Sequence, residues 1–535
     1  MATLSPNKQS LAPYTVAPRP VAAAKALVSL RGALLALGVS LVYHLALLVI
    51  YAQNVPSAAI EFIFFLFADV LVFAVGLVPV VALLRGRLKW YDPLLWLSSI
   101  TFLSSLTFYY VYLNDPAFTL SLTYRGSTLL SYRTEYEWLV YWGQAQLIVA
   151  IFLIALLWTN ARPLELLSGL EPRRVEYMAA FALGLICIPL GVYGFSRQWT
   201  GLSANEVFLE SVGYLFYDTS SVDVRSVTLQ SVALAGAPLG LVGFIGLLRK
   251  SGRRPSFWVG SLVLATITIL MIPRIVVGSR IAILFSVIFI LALLRHFRYR
   301  VPRRLFIGGF VMVALLLGFI SLIRLNPFRG GSGEFTEYAM SGDLLASFLE
   351  RQESDMRVLM QVDRVTIIGF MLANLDNGEP YVYGQSLLAG PVNFGWFLLN
   401  RVLRPLGLEQ TSQQVWWESF DYVNAWRYGS PTLPSGIGSN PPSYPGEFFL
   451  QGGYPALILC SVLFGLFIAW LRRSIATGKT LLARWFVLFI AFQISFYAPA
   501  LLSTSIRVLY VPILPVVALY LFLLLVFSIN DSNRL

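Results

Sequence analysis

Continuous apolar length is the feature that most constrains this chain. A helix needs about 20 predominantly apolar residues to cross the hydrocarbon core of a bilayer. Runs of that order recur along the whole sequence, near 33–53, 59–84, 94–114, 137–159, 177–195, 227–248, 256–276, 280–295, 305–324, 446–471, 482–503 and 507–529. Only 12% of the 535 residues are charged, and 57% are hydrophobic. A soluble domain carries roughly 25% charged residues. So few charges cannot cover a water-soluble body of this size, and lipid must cover much of it. The expected fold is an all-α polytopic membrane protein with about twelve transmembrane helices. The two shorter helices that flank Gly278 meet in a tight hairpin.

The spacing of these runs divides the chain. Residues 1–32 read as a disordered cytoplasmic tail, punctuated by Pro6, Pro13, Pro18 and Pro20 and without a signal-peptide cleavage pattern. Helices one to nine occupy 33–325, a large loop 326–445, helices ten to twelve 446–529, and a short cytoplasmic tail 530–535. A loop of that length is too long for a connector and is expected to carry function. No internal repeat is visible, whereas many secondary transporters show related halves. Cys187 and Cys460 both fall in predicted helices, so neither a disulfide framework nor a zinc site can be assembled. No metal or cofactor is expected.

The net charge of +12 could suggest nucleic acid, but its distribution points to a membrane. Basic residues gather in every second loop: Arg85, Arg87 and Lys89; Arg173 and Arg174; Arg249 and Lys250; Arg295 and Arg298; Arg472, Arg473 and Lys479. The positive-inside rule then puts both termini in the cytoplasm and the large loop on the opposite face. All five lysines lie on the cytoplasmic side, while the large loop carries seven arginines and twelve acids. Exclusive use of arginine suits planar, bidentate recognition of carboxylate or phosphate.

Within the loop, 343–375 reads as an amphipathic helix, with Glu350, Ser354, Arg357, Gln361 and Arg364 as its polar stripe. The remainder looks irregular and rich in aromatics, among them Trp396, Trp416, Trp417, Tyr422 and Trp426, whose faces can stack on sugar rings. Residues 430–444 are dense in Pro, Gly and Ser and read as turns or a movable substrate loop ending at Tyr444. Arg274, Arg280, Arg324 and Arg507 stand at or near outer helix ends, where an arginine usually faces a cavity or a partner. Glu447 sits where the loop becomes helix ten. Either it complements that helix's dipole or it acts as a general base, with Asp355 and Asp363 as competitors.

This set of arginines, acids and aromatics, without His or Cys in the loop, suits an anionic, lipid-accessible substrate. A lipid-linked diphosphate fits. Arginines hold the diphosphate, the lipid stays in the bilayer, and a carboxylate takes a proton from the attacking sugar hydroxyl.

At these residues the chain resembles bacterial oligosaccharide repeat-unit polymerases, the Wzy-type O-antigen and exopolysaccharide polymerases. Three stretches carry the likeness. They are Val277-Gly278-Ser279-Arg280; Tyr383-Gly384-Gln385-Ser386-Leu387 with Pro391; and Ser443-Tyr444-Pro445-Gly446-Glu447-Phe448-Phe449 with Gly452-Gly453, Gly465 and Arg472-Arg473. The resemblance implies a GT-C-like plan with one large periplasmic loop between helices nine and ten, in the bacterial inner membrane. It implies transfer of a growing glycan from undecaprenyl diphosphate onto the next lipid-linked repeat unit, and suggests a chain-length regulator as partner. By motif position it assigns Arg280 to a diphosphate and Glu447 to the site. Arg274, Arg324, Arg357, Arg364 and Arg507 join as diphosphate ligands, and Tyr444, Trp417 and Trp426 as substrate-loop aromatics, by the reading of residues alone. The related O-antigen ligases resemble one another around a histidine near the end of this loop, where Asn440-Pro441-Pro442-Ser443 stands here. A lipid-linked oligosaccharide transporter is the non-enzymatic alternative.

Overall fold

In hydrocarbon, a backbone polar group must be satisfied within its own segment, so apolar runs become helices. The computed structural model describes residues 29–57, 59–114, 135–160, 172–198, 224–252, 280–297, 363–403, 416–428, 442–499 and 502–532, with shorter pieces between 259 and 315 and residue 405. Apart from one 3-10 turn at Ala52–Asn54, the elements among these residues are fourteen α-helices, and there is no strand. They are α1 (Leu30–Ile50), α2 (Ala59–Leu84), α3 (Pro93–Asn114), α4 (Glu135–Thr159), α5 (Arg174–Gln198), α6 (Val224–Lys250) and α7 (Arg280–His296). There follow α8 (Asp363–Asp376), α9 (Gln385–Leu403), α10 (Ser419–Tyr428), α11 (Ser443–Leu450), α12 (Gly453–Thr477), α13 (Leu481–Tyr497) and α14 (Leu502–Ser532).

Seven of these contain a stretch long and apolar enough to cross a membrane: α1, α2, α4, α5, α6, α12 and the later part of α14. Shorter apolar stretches lie in α3, α7, α8 and α13. The chain is a polytopic helical membrane protein. The spans expected at 256–276 and 305–324 fall largely outside the described residues. So does 343–362, the first part of the expected amphipathic helix; its last part appears as α8. The stretch read as irregular is helical over α9 and α10.

Buried charge ties several helix ends together. Asp92 accepts the Leu94 N–H at 3.0 Å at the start of α3, and both its oxygens receive the guanidinium of Arg472 at 3.1 and 2.7 Å. The same guanidinium donates to the carbonyl of Asn160, just past α4, at 2.8 Å. Glu176, in the first turn of α5, accepts the N–H of Leu481 at the start of α13 at 2.7 Å. Arg249, at the end of α6, donates to Phe297 O, just past α7, at 2.8 Å. The ring of Tyr91, between α2 and α3, meets that of His296 edge-on at 5.4 Å. These links gather the basic loops expected on the cytoplasmic side at one end of the bundle. Arg472, read from sequence as a topology signal, is a buried ion-pair partner, 5% exposed.

Two further features set the packing. A Cβ on Gly184 of α5 would lie 2.6 Å from the Cα of Gly240 on α6, so these helices touch backbone to backbone. Between α1 and α2, His44 Nε2 lies 2.8 Å from Asp69 Oδ2, both residues 1% exposed.

Candidate functional site

The sequence reading makes helix ten one span from 446. The structure breaks it. α11 and α12 are separated at Gln451–Gly452, and Gly453 takes φ 70, a conformation that glycine adopts without cost. Were the two helices continuous, Tyr444 and Phe464 would stand about 30 Å apart. Their rings are 5.7 Å apart, so α11 folds back against α12. Tyr444 also packs on Phe152 at 4.1 Å, which places it about 25 Å along α4 from Glu135. α11 therefore lies inside the bundle, folded back on α12, and all of its residues are buried. Such a segment at membrane depth is tolerated where protein or a cavity surrounds it.

Glu447 is one turn from Tyr444 and fully buried. Its Oε2 accepts the N–H of Leu502, the first residue of α14, at 2.5 Å. α14 thus begins inside the bundle, and its positive end faces a carboxylate. The helix whose start Glu447 meets is α14; the sequence reading had placed it at the start of its own. Gln451 braces the same turn. Its amide nitrogen donates to Glu447 O at 2.6 Å and to Ser386 Oγ at 3.0 Å, and its carbonyl oxygen accepts the Gly384 N–H at 2.6 Å. Ser419 donates to Ser386 at 3.0 Å, and Tyr422 to Gln385 Oε1 at 3.2 Å. Burial, then the charge of Asp421, raise the Tyr422 hydroxyl above its ordinary pKa, so it remains a donor. Tyr383–Leu387 and Ser443–Phe449, two of the three stretches that carry the resemblance, therefore meet in one polar network.

The expected residues fare differently. Tyr444, assigned to a movable substrate loop, belongs to the packed core, its hydroxyl on Thr101 and its ring among Phe152, Phe448 and Phe464. The physical reason is the fold-back of α11 on α12, which carries the ring inward. Trp417 is half-buried edge-on against Tyr422 at 5.3 Å, and Trp426 packs against the core from α10. Arg280 opens α7, Asp363 and Arg364 open α8, and Arg507 is in the first turns of α14, but their side chains lie outside the described part. Arg274, Arg324, Asp355 and Arg357 lie outside the described residues.

Gln451, Ser386 and Gln385 were missed as site residues. Gln385 and Ser386 stood within a quoted motif, and Gln451 one turn after Glu447, so a search for amides beside that acid would have found the brace. The His44–Asp69 pair was missed as a pair, although each residue is an ionisable group in an apolar run. No protein-family model matches the chain, and neither a curated protein nor a solved structure matches it.

Proposed function

We propose that this protein is a bacterial oligosaccharide repeat-unit polymerase of the Wzy type, a glycosyltransferase that works on undecaprenyl-diphosphate-linked glycans at the periplasmic face of the inner membrane. One observation carries the reading. A buried carboxylate, Glu447, sits on a folded-back helix where α14 also begins, inside a bundle of apolar helices. Helix ends and broken helices within a membrane bundle are where ion and substrate sites are commonly built.

In this reading Glu447 is the general base. It takes the proton from the acceptor sugar hydroxyl as oxygen attacks the anomeric carbon of the donor, and the lipid diphosphate leaves with the bonding pair. Arginines on the segments that open α7, α8 and α14 balance the charge that develops on the diphosphate. The complete burial of Glu447 and its bond to Leu502 favour a second reading, in which the carboxylate anchors α11 to α14 and Asp363 or Asp355 is the base.

Purified full-length protein supplied with lipid-linked repeat units tests the activity. A ladder of longer lipid-linked glycans is expected. Absence of the ladder, with movement of the intact units across proteoliposomes instead, would make the chain a transporter.

A further inference from the structure

One exposed face of α9 has the wrong polarity for a helix in water. Two of its polar side chains point into the protein: Ser386 is buried under Gln451 and Ser419, and the Asn393 amide pairs with the Trp416 main chain at 2.9 and 3.1 Å. Ala389 and Leu387 pack inward, but three large apolar side chains point out, with Leu388 55%, Trp396 38% and Leu399 41% exposed. On a helix of 3.6 residues per turn these three fall within an arc of about 80°, one stripe rather than scattered contacts. Water selects the opposite arrangement, apolar inward and polar outward.

The stripe begins close to a candidate span. The Val382 N–H donates to Leu450 O at 3.1 Å, and the Gly384 N–H to Gln451, so α9 starts beside the start of α12. There Tyr454, Ile458 and Leu459 of α12 are exposed, and Tyr383, 79% exposed, stands between the two helices. Tyrosine and tryptophan are the residues enriched where a bilayer meets water. Pro391, Asn393 and Asn400 interrupt the apolar character of α9, which suits a helix that lies in the interface rather than one that crosses the core.

We infer that α9 is an interfacial helix whose Leu388–Trp396–Leu399 stripe is seated in lipid acyl chains at the membrane surface. The polar network around Gln451 then hangs directly beneath a lipid-contacting element. The inference rests on the placement of side chains and stands apart from the reaction catalysed.

Single cysteines at 388, 396 and 399, in a chain with Cys187 and Cys460 replaced, would carry spin labels in proteoliposomes. Ile458 on α12 and Glu379 in the exposed turn before α9 serve as references. Collision with oxygen is expected to exceed collision with a water-soluble nickel chelate several-fold at all three positions, as at Ile458, and the reverse at Glu379. Nickel-dominated collision at the stripe would overturn the inference, and so would spin–spin broadening that marks a second copy on this face. If the cysteine-free chain does not fold, a photo-crosslinking residue at 396 in the otherwise unaltered protein decides the matter. Lipid adducts support the interfacial seat; protein adducts or water quenching refute it.

Discussion

At the scale of single residues, buried polar groups are costly unless paired, and the pairs here are specific. The Nδ1 of His44 lies 2.7 Å from the Ser40 carbonyl, which can only accept, so Nδ1 carries a proton. The contact between Nε2 and Asp69 Oδ2 then holds one shared proton, and the pair is net neutral wherever that proton rests. Asp69 Oδ1 has no hydrogen-bond partner among the described residues, and the pair clips α1 to α2 beside the edge-on contact of His44 with Phe73 at 5.5 Å. His44→Leu or Asp69→Leu alone should destabilise the protein by about 1–3 kcal/mol, since each leaves a buried polar group unpaired. The double variant should recover most of that loss. Thermal unfolding in detergent would show this, and strictly additive losses would refute the pairing. Arg472→Ala should cost more, about 3–5 kcal/mol, because it strands the buried Asp92 carboxylate. Arg472→Met with Asp92→Leu should be milder than either single change, by the same thermal assay. Neither pair could be matched from sequence, because Asp92 and Arg472 are far apart along the chain, and nothing local joins them.

Elements were legible where a long apolar run dictates a helix, as in α2, α4 and α6. They were not where tertiary packing overrides the run. The break after Leu450 shows why. Gln451-Gly452-Gly453 sits within an otherwise apolar stretch, and hydropathy cannot distinguish a turn from a weak point in a helix. The ring stack of Tyr444 on Phe152 and Phe464 decides it. α9 and α10 escaped for another reason: their aromatic and polar residues follow no water-facing periodicity, since one side of α9 faces protein and the other is exposed apolar surface. The α5–α6 pair offers a direct test of packing at this scale. Gly240→Leu should force the helices apart and destabilise by at least about 1–3 kcal/mol, the usual cost of overpacking. Gly38→Leu, which meets open space, should be nearly silent in the same thermal measurement.

At the scale of the whole molecule, the charge pattern and the fold agree on which loops share an end. Arg85, Arg249, Arg295 and Arg472 come from loops or helix ends that the structure gathers together. The positive-inside rule then predicts that this end faces the cytoplasm. Fusing alkaline phosphatase after Leu535 should give an inactive enzyme, and inserting it at Glu379 an active one; the opposite pattern would invert the molecule. The candidate site lies away from that basic end, at the turn where α11 folds back into α12. Of that site the sequence showed Glu447 and its motif but not the burial, the Gln451 brace or the partnership with α14. These depend on where two distant segments meet.

The most direct test of Glu447 as the proposed base is the polymerisation ladder made by Glu447→Gln. Glutamine keeps the size of the side chain but cannot take a proton. If Glu447 is the base, the thermal transition should stay close to that of the unaltered protein and the ladder should slow by about 10²–10⁴-fold, the usual contribution of a positioned base. A ladder formed at the unaltered rate by a folded Glu447→Gln protein would contradict that role. Glu447 would then be an anchor between α11 and α14, and the base would have to be sought at Asp363 or Asp355.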